Sequence, residues 1–225
     1  MGDMRHSGAE SALGQQAAAE AGAAGGDHRV APRFTLLLRM AKLICGRGEF
    51  LCIVRDVSET GASVKLFHPL PAAGDMLLEL PNGDRHPVET VWQDEGKAGF
   101  RFRRPADLSR LIENPSEFPK RPVRVSLTVP AELCFAGRVL AAEIRNISQQ
   151  GALIACGEKL PIFQRLMLRA PEMPEIRAKV RWRRDDECGL VFEDTFQFGE
   201  LAQVVFAMQN AAPQPARPDA ALGVS

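Results

Sequence analysis

An R-x-x-x-R motif formed by Arg29 and Arg33 opens the part of the chain that carries strand-like patterns. Pro32 fixes its own φ and pushes Ala31 towards extended backbone, so we expect an extended loop from which the two arginines project separately. A guanidinium donates two parallel hydrogen bonds to a phosphate or to the O6/N7 edge of guanine, and it also stacks on bases. Two such arginines could close around a nucleotide, although R-x-x-x-R alone equally describes solvated surface arginines.

A D-x-S-x-x-G motif, formed by Asp56, Ser58 and Gly61, follows Arg33 further along the chain. Asp56 and Ser58 alternate with Val57, which places both polar side chains on one face of a strand end. The carboxylate can accept hydrogen bonds from the amino and imino groups of a base, and the hydroxyl can donate or accept. Gly61 provides either a positive φ or a position where another group approaches closely. Taken alone, the motif is equally typical of a turn between two strands.

Both motifs occur a second time and in the same order. Asn146, Ser148 and Gly151 repeat the second motif, and Arg124 precedes Asn146 at nearly the spacing that separates Arg33 from Asp56. These residues could therefore form a second site. Four pairs of landmarks in the two copies share one constant offset: Gly61/Gly151, Trp92/Trp182, Gly99/Gly189 and Phe102/Phe192. The chain is therefore interpreted as a tandem duplication of one domain.

The elements that must position these motifs are predicted to be short strands. In the first copy, apolar or alternating runs occupy residues 34–44, 50–57, 61–67, 76–80, 88–92 and 98–102. Turn residues separate the runs, most clearly at Pro81-Asn82-Gly83-Asp84. Short strands at this spacing favour a small antiparallel barrel. Residues 106–113 could add a helical turn or two, and the apolar residues of 196–209 recur at helical spacing.

The composition divides the chain into five segments. Residues 1–28 and 210–225 contain few large apolar side chains and are predicted to be disordered tails. The first domain is predicted to span residues 29–113 and the second residues 120–209. The linker between them, residues 114–119, contains two prolines and should therefore be semi-rigid.

The combination of motifs resembles the PilZ domain. An R-x-x-x-R motif followed by (D/N)-x-S-x-x-G, in a small β-rich domain ending in a Gly-x-x-Phe strand, is similar to that family over both predicted domains. The resemblance implies a mainly β fold with two tandem six-stranded antiparallel barrels, each followed by a helix. It also implies binding of the bacterial second messenger cyclic di-GMP. By analogy, Arg29 and Arg33 would contact phosphates and guanine faces, while Asp56, Ser58 and Gly61 would line the guanine pocket.

On this resemblance the protein is expected to be a non-catalytic effector that needs no cofactor besides its ligand. The N-terminal composition, which lacks the continuous apolar core of a secretory signal, predicts a cytoplasmic location. The protein would transmit the level of cyclic di-GMP to a protein partner in the control of motility, exopolysaccharide synthesis or adhesion. The alternative is a PilZ-like scaffold or protein-interaction module in which one or both nucleotide sites have been lost.

The second copy departs from the family pattern at its first arginine. The offset between the copies increases by one here, so Arg124 matches Arg33 but Lys120 matches Arg29. Arg121 supplies a guanidinium only if the motif shifts by one position. Lysine is a point charge that makes no planar bidentate contact, so the change is expected to cost about 1–3 kcal/mol of binding free energy. The second site is therefore predicted to be the weaker one.

Two further groups of residues have alternative interpretations. Trp92 and Trp182 are better explained by packing in the core or at the barrel rim than as ligand platforms, and Phe102 and Phe192 are expected in the core. Two basic clusters could be solvated strand faces or partner surfaces, and the first interpretation is preferred. The clusters are Arg101, Arg103 and Arg104, and Arg181, Arg183 and Arg184.

Charge and motif content argue against several classes of function. Basic and acidic residues balance at 28 each, so no DNA or RNA partner is predicted. No apolar run approaches the roughly 20 residues of a membrane helix, so no membrane insertion is predicted. Common catalytic motifs are missing, and the five cysteines lie at no zinc-ligand spacing, so neither catalysis nor a metal site is predicted. The cysteines are expected to be reduced, partly buried thiols.

Overall fold

The computed structural model describes residues 34–70, 74–107 and 122–211, with side chains from residue 39 onwards. The first six strands are β1 (Phe34–Cys45), β2 (Gly48–Ser58), β3 (Gly61–Leu66), β4 (Met76–Glu79), β5 (Arg85–Asp94) and β6 (Lys97–Phe102). The next six are β7 (Val125–Phe135), β8 (Arg138–Ser148), β9 (Gly151–Cys156), β10 (Arg165–Arg169), β11 (Ile176–Arg184) and β12 (Glu187–Phe192). A helix, α1 (Phe198–Ala211), follows β12.

Each set of six strands closes into an antiparallel barrel. The order around the first barrel is β1-β2-β3-β6-β5-β4, and the second repeats it as β7-β8-β9-β12-β11-β10. The predicted tandem barrels are thus confirmed, and Phe102 and Phe192 are buried in the two cores as expected. Residues 108–113 of the helix predicted after the first barrel, the linker 114–119 and both predicted tails lie outside the described residues.

Alternation of side chains along the strands builds each core. β7 shows the pattern most clearly, because Val125, Leu127, Val129, Ala131 and Leu133 are all buried while the residues between them are half-buried or exposed. A period of two directs one set of side chains to the barrel interior and the other set to its outer surface. The inward-facing residues of each barrel pack into a separate apolar cluster.

A β-bulge explains why the offset between the two copies changes by one. In the first barrel, Thr35 and Arg39 are four positions apart on β1, but their partners on β2 are only two apart. In the second barrel, Ser126 and Val129 are three positions apart on β7, and their partners on β8 are again two apart. The first barrel therefore accommodates its extra residue in the bulge of β1. Beyond the bulge, the two barrels return to the same register.

The two barrels contact each other through α1 and the β1–β2 hairpin. Leu51 of β2 is fully buried and packs with the core of the second barrel. The side-chain amide of Gln209 in α1 accepts a hydrogen bond from the Glu49 N–H at 3.0 Å and donates one to the Glu49 carbonyl at 2.8 Å. Phe206, also in α1, packs against the core of the first barrel. The helix therefore belongs to both barrels.

A buried group of charged side chains lies at the same interface. Lys42 Nζ is 3.1 Å from Glu49 Oε2 and 2.8 Å from Glu79 Oε1. The side chains of Lys42 and Glu49 are only 10% and 7% exposed. The Glu49 carboxylate reaches the second barrel, where it accepts a hydrogen bond from the backbone N–H of Ser126 at 2.8 Å. Each of these buried charges thus has an opposite charge or a donor beside it, as burial requires.

His68 is expected to make the stability of this interface depend on pH. Its ring stacks on Phe206 with 4.5 Å between centroids and contacts Phe50 at 5.5 Å. Burial lowers the pKa of His68 below its usual value of 6.5, so the folded state favours the neutral ring. The packing of the neutral His68 ring therefore contributes fully to the stability of the fold above about pH 6.5. This contribution is lost as the pH falls through the lower pKa that His68 has in the folded state. Urea denaturation at several pH values should show a smaller loss of stability below neutral pH for His68→Phe than for the wild type, and equal losses would contradict this prediction.

Candidate functional site

The second barrel brings the two predicted motifs together. Arg124 precedes β7, Asn146 and Ser148 end β8, and Gly151 begins β9. Arg124 Nη1 donates a hydrogen bond to Asn146 Oδ1 at 3.2 Å. The motifs meet because Val125, the residue after Arg124, pairs with the residue that follows Asn146. The number of residues between the two motifs therefore matches the length of the β7–β8 hairpin that connects them.

Three of these four motif residues border a surface pocket of about 160 Å³ on the second barrel. Its wall includes Arg124, Ser148 and Gly151, together with Arg181 and Trp182 from β11. Two arginines, a serine and a tryptophan thus line one pocket. Such a set suits a ligand that combines a phosphate with a flat heterocycle.

Gly61 and Gly151 allow a close approach between strands. A Cβ atom on Gly61 would lie 2.2 Å from the carbonyl oxygen of Phe100, and one on Gly151 would lie 2.1 Å from the carbonyl oxygen of Leu190. Neither glycine has a positive φ. Of the two roles that the sequence left open, close approach is therefore the correct one. The missing side chains let β3 pair with β6, and β9 with β12, directly beside the motif.

Ser58 and Ser148 stabilise the turn of each motif. Their hydroxyls donate to the carbonyl oxygens of Gly61 and Gly151 at 3.3 and 3.2 Å, respectively. Both serines are buried. This geometry matches the turn-forming alternative for the motif. Ser148 also lines the pocket, so in the second barrel the turn forms part of the pocket wall.

The carboxylate of Asp56 in the first barrel is held in a fixed position. Ser63 lies opposite Asp56 in the β2/β3 ladder, and its hydroxyl donates to Asp56 Oδ2 at 2.6 Å. In the second barrel, the residue that pairs with Asn146 is Leu153, whose side chain cannot donate a hydrogen bond. Sequence reasoning missed Ser63, although its position in the alternating β3 pattern places it on the same face as Asp56.

Four of the predicted site residues lie outside the described residues: Arg29, Arg33, Lys120 and Arg121. The structure does describe the start of β1. Phe34, which follows Arg33 in the sequence, pairs with Val57, which follows Asp56. This is the same register as that of Val125 in the second barrel.

Trp92 and Trp182, which were expected to pack in the core or at the barrel rim, lie on the outer surfaces of the barrels and not in the cores. They are 41% and 43% exposed. Each indole covers the glycine that pairs with it, because a Cβ on Gly99 or Gly189 would lie 2.0 or 2.1 Å from the indole Nε1. The alternative of packing at the rim fits this arrangement, and the exposed faces of the rings remain accessible.

Most arginines in the two basic clusters have partners on the barrel surface or point into solvent. Arg103 Nε lies 3.2 Å from Glu89 Oε1. Arg183 donates to the carbonyl oxygen of Leu160 at 3.1 Å. These contacts support the interpretation of the clusters as solvated strand faces. Arg181 differs from its neighbours because it lines the pocket.

In the described ranges, no group of three or more His, Cys, Asp or Glu side chains is arranged to hold a metal ion. The five cysteines are free thiols, and Cys52, Cys156 and Cys188 are buried. Burial raises the pKa of Cys188 to about 12, which keeps it protonated at neutral pH. None of the helical residues that the structure describes forms an apolar span long enough to cross a bilayer.

The chain thus contains two six-stranded barrels of the same type. Each has a D/N-x-S-x-x-G turn beside the start of its first strand. A model of the PilZ domain family matches the chain twice, over residues 27–114 and 119–206. The two matches cover more than half of the chain, and the chain belongs to the PilZ family.

Three solved structures are similar to the chain at low sequence identity. The Borreliella burgdorferi PlzA protein in complex with c-di-GMP is 13% identical, with a TM-score of 0.34, and the match covers 77% of this chain and 88% of PlzA. The Bacillus subtilis inhibitor of motility (MotI/DgrA) is 12% identical, with a TM-score of 0.35 and coverage of 79% and 98%. Escherichia coli YcgR in complex with c-di-GMP is 10% identical, with a TM-score of 0.31 and coverage of 77% and 84%. A comparison with curated proteins gave no match.

Proposed function

We propose that the protein is a receptor for cyclic di-GMP and that the first barrel carries its principal site. Membership of the PilZ family and the intact motifs of the first copy support this ligand. The observation that carries the proposal is the Asp56 carboxylate, which Ser63 holds at the end of β2 beside the start of β1. The motif arginine Arg33 directly precedes that start in the sequence.

The Asp56 carboxylate suits the edge of a guanine base. Guanine presents two adjacent donors, the N1 imino and N2 amino groups, and a carboxylate has two oxygens that accept only. The hydrogen bond from Ser63 fixes the carboxylate before the ligand arrives, so less side-chain freedom is lost on binding. Asp56 is therefore assigned to guanine recognition, while Ser58 and Gly61 shape the turn next to it.

The arginines of the first motif are assigned to the phosphates and to the guanine faces. The second barrel supports this assignment, because there the arginine equivalent to Arg33 reaches the residue equivalent to Asp56. A guanidinium at this place can bind a phosphate bidentately or stack on the base that Asp56 holds. Arg29 would supply the second guanidinium of the site.

Transmission to a protein partner would follow from the position of the site. The motif begins at the end of β2, and the other end of β2 forms the contact with the second barrel. A ligand changes such an interface only if its affinity differs between two arrangements of the chain. The partner would belong to a system of motility, exopolysaccharide synthesis or adhesion, as the family resemblance implies.

Isothermal titration calorimetry with cyclic di-GMP tests the proposed receptor. We expect micromolar or tighter binding by the wild type and at least about tenfold weaker binding by the first barrel in Arg33→Ala, because one bidentate or stacked contact is removed. Arg165→Ala is a matched control, since it removes one exposed arginine far from either motif in sequence. A wild-type chain without binding would overturn the proposal and leave a PilZ-like scaffold as the function to pursue.

A further inference from the structure

The pocket of the second barrel contains an arginine that neither motif supplies. In sequence, the second copy has Lys120 where the first has Arg29, which leaves Arg124 as its one arginine at strict motif spacing. In the structure, Arg181 from β11 lines the same pocket as Arg124. Arg124 precedes β7, and three further strands separate β7 from β11 along the chain, so no local motif could reveal the pair.

A β-bulge places Arg181 at the pocket. The β11/β12 pairing is irregular between Val180 and Trp182, and Arg181 is the additional residue between them. β5 has a bulge at the equivalent place, between Thr90 and Trp92, and there the additional residue is Val91. Bulges redirect a side chain that regular pairing would point elsewhere. The same backbone feature therefore presents valine in the first barrel and arginine in the second.

The charges around the pocket favour an anion. No carboxylate in the described part of the chain pairs with Arg181, whereas Arg103 in the first barrel pairs with Glu89 and Arg177 in the second pairs with Glu193. The described partner of Arg124 is the neutral amide of Asn146. Two guanidinium groups without carboxylate partners give the pocket a local positive potential, although the whole chain has no net charge.

We infer that Arg181 is a ligand-binding residue of the second barrel and that Arg124 and Arg181 together bind one phosphate of cyclic di-GMP there. The inference rests on the proposed function and extends it to a second site with a different arginine pair. Trp182 lies next to Arg181 and offers an exposed indole to the same pocket, so a guanine base can stack beside the bound phosphate. The second site is thus not a weakened copy of the first, because an arginine from another strand replaces the missing one.

Calorimetry on the full chain separates the two sites. Arg33→Ala combined with Asp56→Ala removes the first site, and cyclic di-GMP is then titrated against the second barrel alone. In this background, Arg181→Val should weaken binding at least about tenfold. Valine is the residue that the equivalent bulge already accommodates in the first barrel, so the backbone should tolerate it. Arg165→Val removes the same charge from an exposed position on β10 and should leave the affinity unchanged within about twofold.

A second variant and a second readout cover the case in which Arg181→Val misfolds. Arg181→Lys keeps the charge but loses the planar bidentate contact, so its affinity should lie between those of the background and Arg181→Val. With Trp92→Phe added, Trp182 is the one remaining tryptophan of the chain, and its fluorescence should change on titration.

The outcomes distinguish the inference from the proposed function. If the background variant with Asp56→Ala binds nothing while the wild type binds, the receptor stands and the assignment of Arg181 is overturned. If the background binds and both Arg181 variants bind equally well, the assignment is again overturned. If the wild type binds nothing, the proposed function and the inference fail together.

Discussion

Glu49→Ala is expected to lower the free energy of unfolding by about 3–5 kcal/mol, the usual cost of removing one partner from a buried ion pair. The side chains of Glu49 and Lys42 are almost completely buried, and their charged atoms lie 3.1 Å apart. Without the carboxylate, Glu79 is the one ion-pair partner that Lys42 keeps among the described residues, and the backbone N–H of Ser126 loses its acceptor. The loss of this part-buried hydrogen bond adds to the destabilisation.

Urea denaturation of the full chain measures this effect, and two variants identify its cause. Glu89→Ala is the matched control, because Glu89 pairs with Arg103 on the exposed surface, where an ion pair contributes about 0–1 kcal/mol. Glu49→Gln keeps an acceptor for Ser126 but removes the charge, so its loss should be smaller than that of Glu49→Ala. A loss in Glu49→Ala no greater than in Glu89→Ala would contradict the assigned role of the buried charges.

The contact between Glu49 and Ser126 links the interface of the barrels to the second site. Ser126 pairs with Asn146 in the β7/β8 ladder and lies two positions after Arg124. The hydrogen bond from Ser126 to Glu49 therefore lies on the strand that leads out of the second motif. Under the proposed function, a change in the position of β7 on ligand binding would act directly on this contact.

The barrels could be predicted from the sequence because local patterns determine them. Alternating residues such as Val125 and Leu127 set the inward face of each strand, and turn residues such as Gly83 separate the strands. The constant offset between the two copies then showed that one pattern occurs twice. None of these inferences needs knowledge of which strands meet across the molecule.

The interface could not be predicted, because it depends on where two barrels meet. Glu49 and Leu51 correspond to Val139 and Ala141 in the second copy, so the copies differ at these two positions. In the first barrel these side chains are covered by the second barrel, while Val139 and Ala141 are exposed. The sequence shows that the two copies differ here, but the reason becomes clear only when the contact between the two barrels is known.

The arrangement of the candidate site was predicted in part, and bulges account for most of the residues that sequence reasoning missed. Arg124 and Asn146 meet as the motif spacing suggested. Arg181, however, is the additional residue of a bulge and Trp182 follows it, and a bulge breaks the period of two that assigns side chains to faces. This is why the sequence did not indicate that Arg181 and Trp182 line one pocket.

Gly61→Ala is expected to lower the free energy of unfolding by about 3 kcal/mol in the absence of any ligand, at the upper end of the range for overpacking. The new Cβ would lie 2.2 Å from the carbonyl oxygen of Phe100, and this oxygen belongs to the backbone of β6, which cannot turn aside as a side chain can. Relief of the clash requires β3 and β6 to separate where Gly61 pairs with Arg101. Separation also weakens the neighbouring hydrogen bond from the Phe102 N–H to the Thr60 carbonyl, which is 2.9 Å long.

Gly46→Ala is the matched control, because a Cβ at Gly46 meets nothing within 4 Å and the residue has no positive φ. Its stability should stay within about 0.5 kcal/mol of the wild type, as for most surface substitutions. Thermal and urea denaturation of the two variants without ligand decide where the motif glycine acts. If only Gly61→Ala loses much stability, Gly61 is required for the close pairing of β3 and β6 beside the site. Equal stability of both variants, with weaker cyclic di-GMP binding by Gly61→Ala alone, would mean that the glycine is instead required by the ligand.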